Sequence, residues 1–126
     1  MTQIAERPRF LNLMKIRLPL PGVLSILHRI SGVLMVLAIP FLIYLLDLSL
    51  RDAAGFAAAA GVLDMLLIKL GLAVIVWGLF HHLFAGIRYL LLDMDIGVEK
   101  QQARASSWIV FGVSIVVTLI VLGVIW

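Results

Sequence analysis

The chain has 126 residues, of which 63% are hydrophobic and 13% charged, with a formal net charge of +3. Its mean hydropathy is +1.17. A soluble domain carries about 25% charged and 45–50% apolar residues, so this composition excludes a protein that covers its own surface with polar groups. The bilayer must serve as its solvent. With no cysteine, the chain forms no disulfide, no thiolate zinc site and no cysteine-ligated iron–sulfur cluster. The basic balance does not point to nucleic acid, because the Lys and Arg residues flank apolar stretches as membrane-edge charges do.

The whole chain, 1–126, reads as a single membrane domain. Residues 1–24 form a basic arm with Arg7, Arg9, Lys15 and Arg17 spread along it. No uninterrupted apolar core and no small-residue cleavage site follow, so the arm reads as mature protein rather than a leader. Leu18-Pro19-Leu20-Pro21-Gly22 is expected to break the chain just before the first span and to turn the arm along the surface. A helix needs about 20 apolar residues to cross the hydrocarbon, and three stretches qualify. Span one covers 25–47 and carries Pro40, which predicts a kink. Span two covers 63–92, with no acid, Lys or Arg between Lys69 and Arg88. Span three covers 108–126, with Trp108 and Trp126 at its two ends, where indoles favour the interface. Between spans one and two, Asp52 is placed to cap a helix leading straight into span two. The stretch from Asp93 to Ser107 is expected to be a solvated loop.

Eight of the ten Lys and Arg residues fall on the side that holds the N-terminus and the second loop. Only Arg51 and Lys69 fall on the other. The positive-inside rule then predicts that the N-terminus and the second loop are cytoplasmic and that Trp126 lies on the outer side.

Ionisable groups at membrane depth are expensive and mark functional positions. Ser25, His28, Arg29 and Gly32 fall at i, i+3, i+4 and i+7, one stripe of a helix. Two readings fit this stripe. It offers a hydroxyl, an imidazole and a guanidinium to a carboxylate, such as a haem propionate, or to a quinone head. Otherwise Arg29 snorkels to lipid phosphate and Ser25 merely caps. On span two, His81 and His82 diverge by about 100° and cannot serve one ligand together. His82 lies about 9 Å deeper than Arg88 at 1.5 Å per residue. Gly86 and Tyr89 share its face at i+4 and i+7. Again two readings stand: His82 ligates a haem that lies over Gly86, with His28, Arg29 and Arg88 near the propionates, or it bonds a neighbouring helix and Gly86 serves close packing. No other histidine of this chain lies at matching depth on a separate span, so a haem would take its second imidazole from a partner chain. The spans lack a mid-membrane acid, which disfavours a proton-coupled transporter.

Three stretches together resemble a known family: Arg7-Pro8 with Pro19-Leu20-Pro21, then Ser25-Ile26-Leu27-His28-Arg29-Ile30-Ser31-Gly32, then His82-x-x-x-Gly86-Ile87-Arg88-x-x-x-x-Asp93. The combination S-x-x-H-R-x-[ST]-G with H-x-x-x-G-x-R is similar to the cytochrome b membrane-anchor subunit of succinate dehydrogenase, respiratory complex II, of proteobacterial type. The likeness covers nearly the whole chain.

That resemblance implies an all-α integral membrane protein of three transmembrane helices packing with a second membrane-anchor subunit. An iron–sulfur subunit and a flavoprotein subunit would sit on the cytoplasmic face, carrying the FAD and iron–sulfur clusters. Electrons from succinate would pass through them to ubiquinone, beside a heme b shared by the two anchors. By position, His82 would be the axial heme iron ligand. Ser25 and Arg29 would line the quinone site, with Asp93 at its rim, and His28 and Arg29 would meet the heme propionates. Tyr89 stands where close relatives can carry histidine, which shifts more of the propionate role to Arg88. His81 reads as a packing residue. The chain alone would hold no complete active site. Two rivals follow from the same fold: a haem-free structural anchor, and the anchor of a fumarate reductase.

Overall fold

A computed structural model describes residues 17–126 of the chain; most of the predicted basic arm, including Arg7 and Arg9, lies outside the described residues. Four helices follow in order: α1 (Leu20–Arg51), α2 (Ala53–Asp64), α3 (Leu66–Asp93) and α4 (Lys100–Ile125). Of these, α1, α3 and α4 are long and apolar enough to cross a membrane. The three expected spans are therefore present; α1 and α4 extend beyond their apolar stretches by turns that carry polar residues, while α3 starts three residues later than expected, after a break at Met65.

The start of α1 differs from the expectation. Pro21 and Gly22 do not break the chain but lie inside the first turn of the helix, with Pro19 as N-cap. First-turn amides have no intrahelical acceptor, so a proline there loses nothing. The amides that do exist are used, since Gly22 and Val23 both donate to the Pro19 carbonyl, at 2.8 and 3.2 Å. The helix then runs through Pro40 to Arg51. Pro40 has no N–H to offer the Val36 carbonyl, so one bond of the ladder is missing at that point.

Asp52 caps the next helix as its sequence suggests, its carboxylate accepting from the Gly55 amide at 2.6 Å. The backbone at Asp52 is extended, and α2 folds back on α1 there. Gly55 is what permits so tight a corner: a Cβ at this position would run into the Leu48 carbonyl oxygen. Met65, again extended, separates α2 from α3. Lys69 on α3 bonds the Asp64 carboxylate across this break, and the ammonium holds that exposed carboxyl below its usual range. The same ammonium lies 6.0 Å from the Trp126 ring. One cation thus ties α2, α3 and the end of α4 together.

At the opposite end, residues 94–99 join α3 to α4 through a turn with Asp95 and Gly97 in the left-handed region, at φ 60° and 77°. The predicted solvated loop is shorter than expected because α4 begins at Lys100, eight residues before the apolar stretch opens at Trp108. Polar residues such as Gln101, Gln102 and Arg104 propagate a helix well once its apolar part is fixed.

Packing is inverted relative to a water-soluble domain. Among the described residues, the buried polar side chains are Ser31, His81, Arg88, Ser107, Ser114 and Thr118, while large apolar side chains such as Leu37, Leu67, Leu90 and Val124 are exposed. Small side chains let helices approach, and each buried hydroxyl on α4 bonds a carbonyl of its own helix: Ser107 to Ala103 at 2.7 Å, Ser114 to Phe111 at 3.0 Å, Thr118 to Ser114 at 2.6 Å. The small apolar core consists of Leu24, Ala85 and Val110, one from each long helix, with Phe84, Tyr89 and Phe111 packed on it. Asp52→Ala removes the cap of α2, a loss of about 1 kcal/mol. Hydrogen exchange at the Gly55 amide should then accelerate about fivefold, and Asp52→Asn should restore it.

Candidate functional site

The polar stripe of α1 and the histidine face of α3 meet each other. His28 and His82 stack with ring centroids 3.9 Å apart and planes 13° from parallel. The helices approach closely enough for this because each histidine stands opposite a glycine of the other helix. A Cβ on Gly32 would lie 3.1 Å from His82 Cε1, and one on Gly86 would lie 3.7 Å from His28 Nε2. Gly86 thus makes room for the imidazole of α1, a use of that space that spacing along one helix cannot reveal.

His82 is held by its inner nitrogen. Nδ1 lies 2.9 Å from the His28 carbonyl oxygen and 3.2 Å from Ser31 Oγ. A carbonyl oxygen only accepts, so Nδ1 carries a proton, and in the neutral ring the lone pair is then on Nε2. Ser31 in turn donates its hydroxyl proton to the same carbonyl at 2.9 Å. Sequence reasoning gave Ser31 no role. Its place three residues after His28 announces the bond back to that carbonyl, but nothing local announces the imidazole arriving from α3.

A groove of about 480 Å³ opens beside the stacked rings, lined by His28, Arg29, Gly32 and His82 with apolar walls from Val33 and Val36. Arg29 is exposed and Ser25, one turn earlier, is half-buried. Tyr89 meets His28 edge-on at 5.2 Å, and its hydroxyl is buried without a hydrogen-bond partner. The structure therefore gathers His28, Arg29, Gly32, His82, Gly86 and Tyr89 into one place. Asp93 ends α3, exposed. Arg88 turns elsewhere: it is 5% exposed, and it donates from Nε to Ser106 Oγ at 2.8 Å and from a terminal nitrogen to the Ala103 carbonyl at 3.1 Å. Those partners exist because α4 starts early. Its guanidinium lies 5.6 Å from the Tyr89 ring, behind the groove rather than in its lining.

His81, fully buried, points to the other side of α3. It stacks on Trp77 at 5.0 Å and lies 5.3 Å from Phe111 of α4. Neither ring nitrogen makes a well-formed hydrogen bond, although the Leu24 backbone of α1 lies beside the ring. It fills the α3–α4 seam as an apolar ring would.

A family model described as "Succinate dehydrogenase/Fumarate reductase transmembrane subunit" matches residues 3–121. Among curated relatives, the chain is 37% identical to the succinate dehydrogenase cytochrome b556 subunit of Coxiella burnetii, covering 97% of both chains. It is 33% identical to the protein of that name from Paracoccus denitrificans, over 93% of this chain and 90% of the relative. It is 31% identical to the one from Rickettsia felis, over 91% and 90%.

His81→Phe should leave thermal stability unchanged or raise it, by between about 0 and 2 kcal/mol, because it removes two buried nitrogens that make no well-formed hydrogen bond. Arg88→Ala should lower stability by about 1.5–3 kcal/mol, the worth of hydrogen bonds made by a charged group. Thermal unfolding of the detergent-purified protein in its native assembly checks both.

Proposed function

Because the chain belongs to the succinate dehydrogenase/fumarate reductase transmembrane-subunit family, we propose that it is the membrane anchor of a succinate dehydrogenase that helps to hold a b-type haem and to form the ubiquinone-reduction site. It is a multi-pass protein of the bacterial inner membrane. The observation that carries the proposal is the state of His82. Its Nδ1 is committed to the His28 carbonyl at 2.9 Å, so its Nε2 is free to bind iron at the edge of a groove bordered by basic side chains.

The residues present fit such a group. His82 would supply one imidazole, its proton already engaged on the inner nitrogen, and a second anchor chain would supply the other. The buried Tyr89 hydroxyl, an unpartnered donor, suits a propionate oxygen, as do His28 and Arg29. Arg88 has five N–H donors, of which α4 takes two; the others would be available to a propionate. When bound, a b haem supplies a one-electron store near the quinone. Arg29 donates to a quinone carbonyl and stabilises negative charge as it develops there, with Ser25 as a second donor and Asp93 at the rim. The N-terminus and the α3–α4 turn face the cytoplasm, where an iron–sulfur subunit and a flavoprotein subunit dock and deliver electrons from succinate. The relatives bear the succinate dehydrogenase name, which favours that direction over fumarate reduction. The chain holds part of a quinone site and no succinate chemistry.

A dithionite-reduced minus oxidised spectrum of the complex purified through this subunit should show sharp low-spin b-type bands, and His82→Ala should abolish them. A flat spectrum from an intact, succinate-oxidising complex would leave a haem-free anchor. Arg29→Ala should lower kcat/KM for ubiquinone about tenfold or more, the loss expected for one charge-assisted hydrogen bond of about 1.5–3 kcal/mol.

A further inference from the structure

Ser31 is 1% exposed and lies in the close contact between α1 and α3. A Cβ on Gly78 of α3 would stand 3.6 Å from the Ser31 Cβ, and His82 is one turn further along the same helix. The Ser31 hydroxyl gives its only proton to the His28 carbonyl at 2.9 Å. What remains to meet His82 Nδ1, at 3.2 Å, is an oxygen lone pair. The Nδ1 proton is therefore shared between two acceptors, Ser31 Oγ and the His28 carbonyl at 2.9 Å.

We propose that Ser31 is the positioning residue for His82, its hydroxyl and the His28 carbonyl together holding the imidazole with the proton on Nδ1 and the lone pair on Nε2. The proposal rests on the reading of His82 as a haem ligand. A neutral imidazole is otherwise free to carry its proton on either nitrogen, and only one of the two tautomers can bind iron through Nε2. The ring is also fixed in orientation. His28 covers one face at 3.9 Å, Gly32 stands against Cε1, and the shared proton sets the remaining rotation. Acceptors on the non-ligating nitrogen, here Nδ1, raise the basicity of the ligating one and so favour oxidised iron. Removing Ser31 Oγ should make the ligand a weaker donor and raise the haem potential. Ser31 touches neither iron nor quinone in this arrangement; it acts through His82.

The test uses the whole complex, purified as wild type, Ser31→Ala and Ser31→Thr, with three readouts: haem content per complex, haem midpoint potential, and the low-spin electron paramagnetic resonance line. Threonine keeps the hydroxyl, as the S-x-x-H-R-x-[ST]-G pattern allows. The expected result for Ser31→Ala is a raised midpoint potential with a broadened low-spin line, or loss of haem, and for Ser31→Thr wild-type behaviour in all three. A Ser31→Ala complex with full haem whose potential is unchanged or lowered overturns the proposal. So does a Ser31→Thr complex that changes as alanine does, since space rather than the hydroxyl would then be what matters. A wild-type complex with no haem overturns the underlying reading instead, and is seen before either variant is compared.

Discussion

The candidate site exists because α1 and α3 approach so closely. Two glycines, Gly32 and Gly86, each face a histidine of the opposite helix, and the two imidazoles stack in the gap so formed. Without side chains at 32 and 86 the backbones come near enough for a carbonyl of α1 to accept from an imidazole on α3. That bond, with Ser31 Oγ beside it, places a proton on His82 Nδ1. In hydrocarbon there is no water to take the place of a lost partner, so such a contact resists exchange more than it would at a soluble surface.

The outward face follows from the inward one. Hydroxyls, an imidazole and a guanidinium are spent inside the bundle, where most of them bond carbonyls or one another, while the leucines, isoleucines and valines face out. Little apolar area is buried between the helices themselves, the core reducing to Leu24, Ala85 and Val110. Such a bundle is suited to being completed by lipid and by further helices. The groove beside His82 is open on that same outward side, lined by Val33 and Val36 from α1.

Two adjacent histidines illustrate how position around a helix decides chemistry. His81 and His82 differ by one residue and by about 100° of rotation. His82 meets a carbonyl, a hydroxyl and a groove; His81 meets Trp77 and Phe111, and neither of its nitrogens makes a well-formed hydrogen bond. Arg88 shows the same point. Seven residues after His81, it shares that residue's face of α3, and like it turns to α4, bonding Ser106 and Ala103.

Hydropathy, capping chemistry and motif spacing are local properties of a chain, and they were enough to give the membrane setting, the three spans, the Asp52 cap and the family. Helical periodicity of 3.6 residues also put Ser25, His28, Arg29 and Gly32 on one stripe and His82, Gly86 and Tyr89 on another. Local patterns do not place Pro21, which costs nothing within the first turn of α1, nor the start of α4, where good helix formers extend a helix fixed by its apolar part. Folding in three dimensions added what local patterns do not hold: the two stripes face each other, Gly86 receives His28, Ser31 and a backbone carbonyl hold His82 Nδ1, and Arg88 belongs to α4. Nearly all of these are contacts between residues far apart along the chain, set by how closely two helices pack and at what rotation. Those quantities depend on small side chains on both partners at once, which no single stretch of sequence contains.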